Sequence, residues 1–113
     1  MKQAAIDKSY YKIGDVAALT DVPISTLRFW ESQFAILSPK RNKAGTRFYT
    51  PGDVEHIRMI RFLLYDKGMR IEAAQEALRT NPQGIDTTYR VVSRLRAVRT
   101  ELKAMLDVLH TLR

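Results

Sequence analysis

Residues 12–34 read KIGDVAALTDVPISTLRFWESQF, and whether this run is one helix or two decides the fold. Ile13, Val16, Ala17 and Thr20 recur along one helical face. TDVP then has the composition of a tight turn, with Pro23 stopping helix continuation. A second helix is expected from about Ser25 to Phe34. On it Ile24, Leu27 and Phe34, with Glu31 beside them, share one side, while Ser25, Arg28, Phe29 and Ser32 share the opposite one. Two short helices joined by a turn of about three to four residues make a helix-turn-helix candidate.

Downstream the character changes. In ILSPKRNKAGTRFYT, residues 36–50, Pro39, Asn42 and Gly45 are turn formers set between Ile36-Leu37 and Arg47-Phe48-Tyr49. The pattern predicts a short β-hairpin with a charged tip, a wing, which must lean on the helices because a lone two-stranded hairpin is marginal. Thr50, Pro51 and Asp53 then form a helix start: an N-cap, a first-turn proline and an acid at the positive helix end. Val54, Ile57, Ile60 and Leu64 follow at helical spacing, with a stop expected near Gly68. Ile71, Ala74 and Leu78 mark another short helix, with Lys67 and Arg70 in the connection.

Residues 80–88, TNPQGIDTT, have linker composition. Beyond them Val91, Leu95, Val98, Leu102, Met105, Leu109 and Leu112 alternate spacings of four and three, an a/d seam over three heptads. A single helix with such a stripe does not bury it unaided, so self-association is expected in preference to folding back. The flanking Arg99, Glu101, Leu106 and Val108 do not fix strand direction by charge.

Composition bounds the function. The 113 residues fit one domain with an appended element, and 45% hydrophobic with 27% charged residues is globular. There is no cysteine, which removes disulfides, thiolate metal sites and cysteine nucleophiles. His56 and His110 stand far apart, and no metal or cofactor is expected. No apolar run of about 18 residues occurs, and MKQAAIDKSYY lacks an apolar signal core, so no membrane partner and a cytoplasmic location are expected. A net charge of +7 favours phosphate-bearing polymers. Four cations, Lys40, Arg41, Lys43 and Arg47, crowd the wing, and the breaks at Asn42 and Gly45 exclude a membrane-surface helix there.

A helix-turn-helix, a basic wing and a dimerising helix together form a DNA-reading arrangement. Ser25 and Thr26 are short donors suited to phosphates or base edges, and Arg28 suits guanine or a phosphate. Phe29 offers an apolar face to thymine methyls or sugar. Taken alone, Arg28 is equally well read as a solvated helix residue; the wing tips the balance. Double-stranded DNA is thus the expected partner. No carboxylate pair, nucleophile–base set or phosphate loop points to an enzyme. Two other readings compete, an excisionase-like DNA-bending protein and a coiled-coil protein-interaction module.

The motifs Tyr11-Lys12-Ile13-Gly14-Asp15-Val16-Ala17, Thr26-Leu27-Arg28-Phe29-Trp30-Glu31, Gly45-Thr46-Arg47-Phe48-Tyr49 and Asp53-Val54 resemble, in order and spacing, those of the MerR family of bacterial transcription regulators. That family's pattern is YxIGEVA, a turn, TLRYYE, a wing ending GxRxY, and a helix opening on an Asp-Val or Asp-Ile pair. KGMRIEAAQEAL resembles its second wing and fourth helix. The resemblance spans about Tyr10 to Arg79.

It implies a mostly α fold, a winged helix-turn-helix domain with a short β-hairpin wing, plus a long C-terminal dimerisation helix in an antiparallel coiled coil. The implied layout is an N-terminal tail at 1–9, the DNA-binding domain at 10–79, a linker at 80–87 and the dimerisation helix at 88–113. It implies DNA contact by Lys12, Ser25, Thr26, Arg28, Phe29 and Trp30 on the first two helices. In the first wing the implied contacts are Lys40, Arg41, Lys43, Arg47 and Tyr49, and in the second Lys67 and Arg70. It implies a homodimer on a pseudo-palindromic promoter site, distorting the DNA so that RNA polymerase can engage. Relatives that sense metals, oxidants or drugs carry a cysteine site or ligand domain beyond the long helix; an effector domain is not expected here. Departures from the pattern are Phe29 and Trp30 in place of paired tyrosines, Pro23-Ile24 at the recognition-helix start, and SQFAILS without the usual glycine.

Overall fold

The computed structural model describes residues 10–112; the expected tail at 1–9 lies outside them. Helix α1, Ile13–Thr20, opens with the Lys12 amide donating to the Asp15 carboxylate and closes on Asp21 in the left-handed region. Asp tolerates that conformation better than most residues. Extended Pro23 then starts α2, Ile24–Gln33, so the run is two helices.

Strands β1, Lys40–Arg41, and β2, Arg47–Phe48, pair antiparallel with Lys40 opposite Phe48 and Arg41 opposite Arg47. Asn42 organises the tip: its side-chain oxygen accepts from the amides of Ala44 and Thr46, and its carbonyl from Gly45. Gly45 sits at φ 83°, which only glycine adopts without strain. A two-residue ladder is weak by itself. Reciprocal 2.8 Å amide–carbonyl bonds between Tyr11 and Tyr49 add a third edge and anchor the hairpin to the root of α1.

Thr50 and Asp53 form a complete capping box at the start of α3, Pro51–Arg61, with Pro51 in the first turn. The helix does not stop there but widens into a π-helical turn, Phe62–Asp66, before Gly68 at φ 67°. Helix α4, Ile71–Thr80, follows, then α5, Pro82–Thr111.

The linker expected at 80–87 is helix instead. Asn81 is the lone residue between α4 and α5; its side chain accepts from the Gly84 amide, and Pro82 takes the first turn, where its missing N–H costs nothing. Ile85 is buried, and Tyr89 and Val92 pack partly against the same core, with Tyr89 edge-on to Phe62 at 5.8 Å. The long helix is therefore longer at its start than the heptads alone indicate.

One core serves the domain. Val16, Val22, Leu27, Trp30, Phe34, Ile57, Ile60 and Leu63 fill its centre, each fully buried side chain contributing roughly 1.5–3 kcal/mol. Val91, Leu95, Val98, Leu102, Met105, Leu109 and Leu112 lie outside it, all exposed. At about 1.5 Å per residue α5 is roughly 45 Å long, which accounts for most of the molecule's 61 Å longest extent.

Candidate nucleic-acid interface

Helix α2 divides by face. Leu27, Trp30 and Phe34 recur at spacings of three and four and are all buried. Ser25, Arg28, Phe29 and Ser32 are exposed, and Thr26 is half-buried at the edge. The expected outward face is thus assembled, with Phe29 offering an uncovered ring. Among the described residues Arg28 makes no ion pair, so its guanidinium is available to an incoming anion.

Three contacts hold α2 in place. The Trp30 ring lies 5.9 Å from Tyr65 on the π-helical turn. Gln75 of α4 donates to the carbonyl of Gln33 at the helix's end. Glu31 reaches the hairpin, where Arg47 Nε donates to both carboxylate oxygens at 2.9 and 2.8 Å and Arg41 Nη2 to one at 3.1 Å. The Tyr49 hydroxyl also donates to Glu31, at 3.3 Å. Burial, with the Glu31 charge next in weight, pushes the Tyr49 phenol up to about 12. Arg47 acts in the opposite sense and is outweighed.

Strand alternation sorts the hairpin's cations. Arg41 and Arg47, opposite one another, share the face turned to Glu31. Lys40 and Phe48 occupy the other face, and Lys40 Nζ stands 6.0 Å from the ring centre of exposed Tyr10. Lys43 lies exposed in the tip, and Lys12 is exposed beside the start of α1. Lys67 and Arg70 are exposed on either side of Gly68 and Met69, in the connection from the π-helical turn to α4. Exposed positive charge thus lies both on the hairpin and on the connection that leads into α4.

Three of the expected contacts, Trp30, Tyr49 and Arg47, need correction. Trp30 is 2% exposed and Tyr49 1%; both belong to the core, because each side chain falls on the inward side of its element. Arg47 is only partly exposed and committed to Glu31, so it supports the wing rather than presenting a free cation. The sequence reading missed Glu31 as the joint between helix and wing. A sole acid on α2, followed by a cationic hairpin, was its available signal.

Among the described residues no group of three or more histidine, cysteine, aspartate or glutamate side chains could hold a metal. No helix among them is long and apolar enough to cross a membrane.

Comparison with known proteins bears on this arrangement. Residues 11–81 match the family model for MerR helix-turn-helix regulatory proteins. The chain is 30% identical over 80 residues to the HTH-type transcriptional regulator MlrA of Escherichia coli K12, covering 71% of this chain and 32% of that protein. It is 33% identical over 76 residues to the transcriptional repressor CarH of Myxococcus xanthus, covering 67% of this chain and 25% of that protein. It spans a third or less of those two relatives. A solved structure, HiNmlR, described as a MerR family regulator lacking the sensor domain and bound to promoter DNA, superposes with a TM-score of 0.56 at 19% identity. That match covers 89% of this chain and 85% of the other, and shows a common fold. On the extent of the family match, the chain belongs to the MerR family of helix-turn-helix regulatory proteins.

Proposed function

We propose that this protein is a sequence-specific DNA-binding transcription regulator acting as a homodimer on a pseudo-palindromic promoter site. The observation that carries the reading is the open face of α2: Ser25, Arg28 and Phe29 stand exposed on a helix fixed at Trp30, Glu31 and Gln33, in a domain whose hairpin and α4-leading connection carry exposed cations. Ser25, Thr26, Arg28 and Phe29 enter the major groove, and Lys40, Lys43, Lys67 and Arg70 meet phosphates. Arg41 reaches a phosphate from its half-exposed position. The relatives, named as transcriptional regulators and a repressor, support this role. No enzymatic step is assigned, and RNA polymerase is the protein partner such a site would meet.

The dimer forms through Val91, Leu95, Val98, Leu102, Met105, Leu109 and Leu112, pairing antiparallel with the same stripe of a second copy. What supports this is the exposure of the whole apolar stripe on a helix that has nothing of its own domain to cover it.

The test is a selection from random duplex DNA with purified protein, sequencing the bound pool. The expected result is an enriched inverted repeat, bound with an affinity that falls steeply with salt as several phosphates are neutralised. Retained binding with no enriched motif would mean backbone recognition, and the bending reading would replace this one.

A further inference from the structure

Glu31 is the only acidic residue on α2. Placing a carboxylate on the helix assigned to a polyanion is unfavourable unless that charge is already satisfied. It is satisfied here by the inward half of the hairpin's cations: Arg47 through both oxygens and Arg41 through one. The side chains of Glu31 and Arg47 are only 14% and 23% exposed, so water and salt screen this pair less than a surface pair. Lys40, on the outward face, is left to other partners.

The carboxylate thus stands on Arg47 where a phosphate otherwise would. We infer that Glu31 is a positioning and specificity-determining residue for DNA: it fixes the wing against α2 and withholds Arg47 from indiscriminate phosphate contact. The inference rests on the DNA-binding reading. A free arginine strengthens binding to every sequence, because neutralising a phosphate carries no sequence information. A loosened wing meanwhile weakens binding to the correct site. Both changes lower the ratio of specific to non-specific affinity, the quantity that matters among many competing sites.

The experiment uses the full chain and two duplexes, the selected site and an unrelated sequence, titrated across a range of salt concentrations. Wild type is compared with Glu31→Ala, Glu31→Gln and the double variant Glu31→Ala/Arg47→Ala, with folding checked by circular dichroism. Glu31→Ala is expected to cut discrimination about tenfold or more, chiefly by tighter binding to the unrelated duplex. Its salt slope should steepen by about one, the contribution of roughly one added phosphate contact. Adding Arg47→Ala should return the slope to the wild-type value and recover most of the discrimination, leaving only the loss that comes from the loosened wing. Glu31→Gln, which keeps the shape and removes the charge, should steepen the slope in the same direction.

A purely structural glutamate would behave otherwise: affinity for both duplexes would fall by one factor with the slope unchanged, which overturns the inference. If Glu31→Ala does not fold, a folded Glu31→Gln with wild-type slope and discrimination overturns it equally. Wild type that binds no duplex would sink the DNA-binding reading itself, an outcome visible before any variant is compared.

Discussion

Arg96 on α5 donates from Nη1 to Oδ2 of Asp66 at 2.9 Å, joining the long helix to the π-helical turn across 30 residues of sequence. Arg96 continues the stripe of Ile85, Tyr89 and Val92, one helical turn beyond the last apolar contact. The pair therefore adds a polar tie, one turn beyond the apolar contacts, between α5 and the domain it leaves. Its side chains are 59% and 27% exposed, which limits its stability contribution to under about 1 kcal/mol. Arg96→Ala should thus shift the melting temperature little, yet broaden the range of half-site spacings recovered by selection. A sharp, unchanged spacing in that variant would mean the pair does not set the angle.

The neighbouring aromatics Phe29 and Trp30 should respond in opposite ways. Trp30→Ala leaves a void in the core and should cost about 3–5 kcal/mol, a large share of the roughly 5–15 kcal/mol typical of a domain. Thermal and denaturant melts will show it. Phe29→Ala, on the open face, should change stability by less than about 0.5 kcal/mol and weaken duplex binding roughly tenfold, a loss of about 1.4 kcal/mol of contact. Equal melting curves for the two variants would reverse the assignment of faces.

Tyr49 gives a pH signature. Its phenol is raised from 10.0 to about 12, first by burial and then by Glu31. Below pH 10 the phenol is protonated in both folded and unfolded chains, and the stabilising contribution is complete. Between about 10 and 12 the unfolded chain loses its proton while the folded one holds it, so stability falls across that window. Denaturant melts at rising pH should record the fall, and ultraviolet difference absorption should show the late titration of Tyr49. Tyr49→Phe should remove both.

The exposed stripe of α5 predicts the effect of charge at its middle. Leu102→Glu places a carboxylate in the expected dimer seam and should convert a dimer to a monomer in analytical ultracentrifugation. Helix content should drop as well, since the freed end of α5 has no tertiary partner and such helices are marginal alone. A monomeric wild type with a fully helical α5 would refute the seam.

Much of this was legible because short-range chemistry and period decide it. The turn at Asp21–Pro23, the helix start marked by Thr50, Pro51 and Asp53, and the 3–4 spacing from Val91 onward all follow from local chemistry that tertiary contacts did not override. The failures have a common origin. Trp30 completes the period of Leu27 and Phe34, yet family likeness drew it to the DNA face; the spacing of three and four carried the better information. The stretch from Asn81 through Pro82 to Gly84 has linker composition, but Asn before Pro is also a helix start, and the burial of Ile85 makes it one. The joint at Glu31 depends on contacts 10 to 18 residues away, which no periodicity encodes.

Helix α5 carries two adjacent stripes, one gripping its own domain through Ile85, Tyr89 and Val92, the other open from Val91 outward. Because the two run along one uninterrupted rod, their relative phase is a matter of residue count. One residue inserted near Ser93 would advance the outer stripe by only about 1.5 Å but swing it about 100° around the axis. Four would bring it back almost into line, some 6 Å further out. Spacer length in this protein is thus an angular setting as much as a ruler, and the separation of half-sites it can bridge should change in steps rather than smoothly.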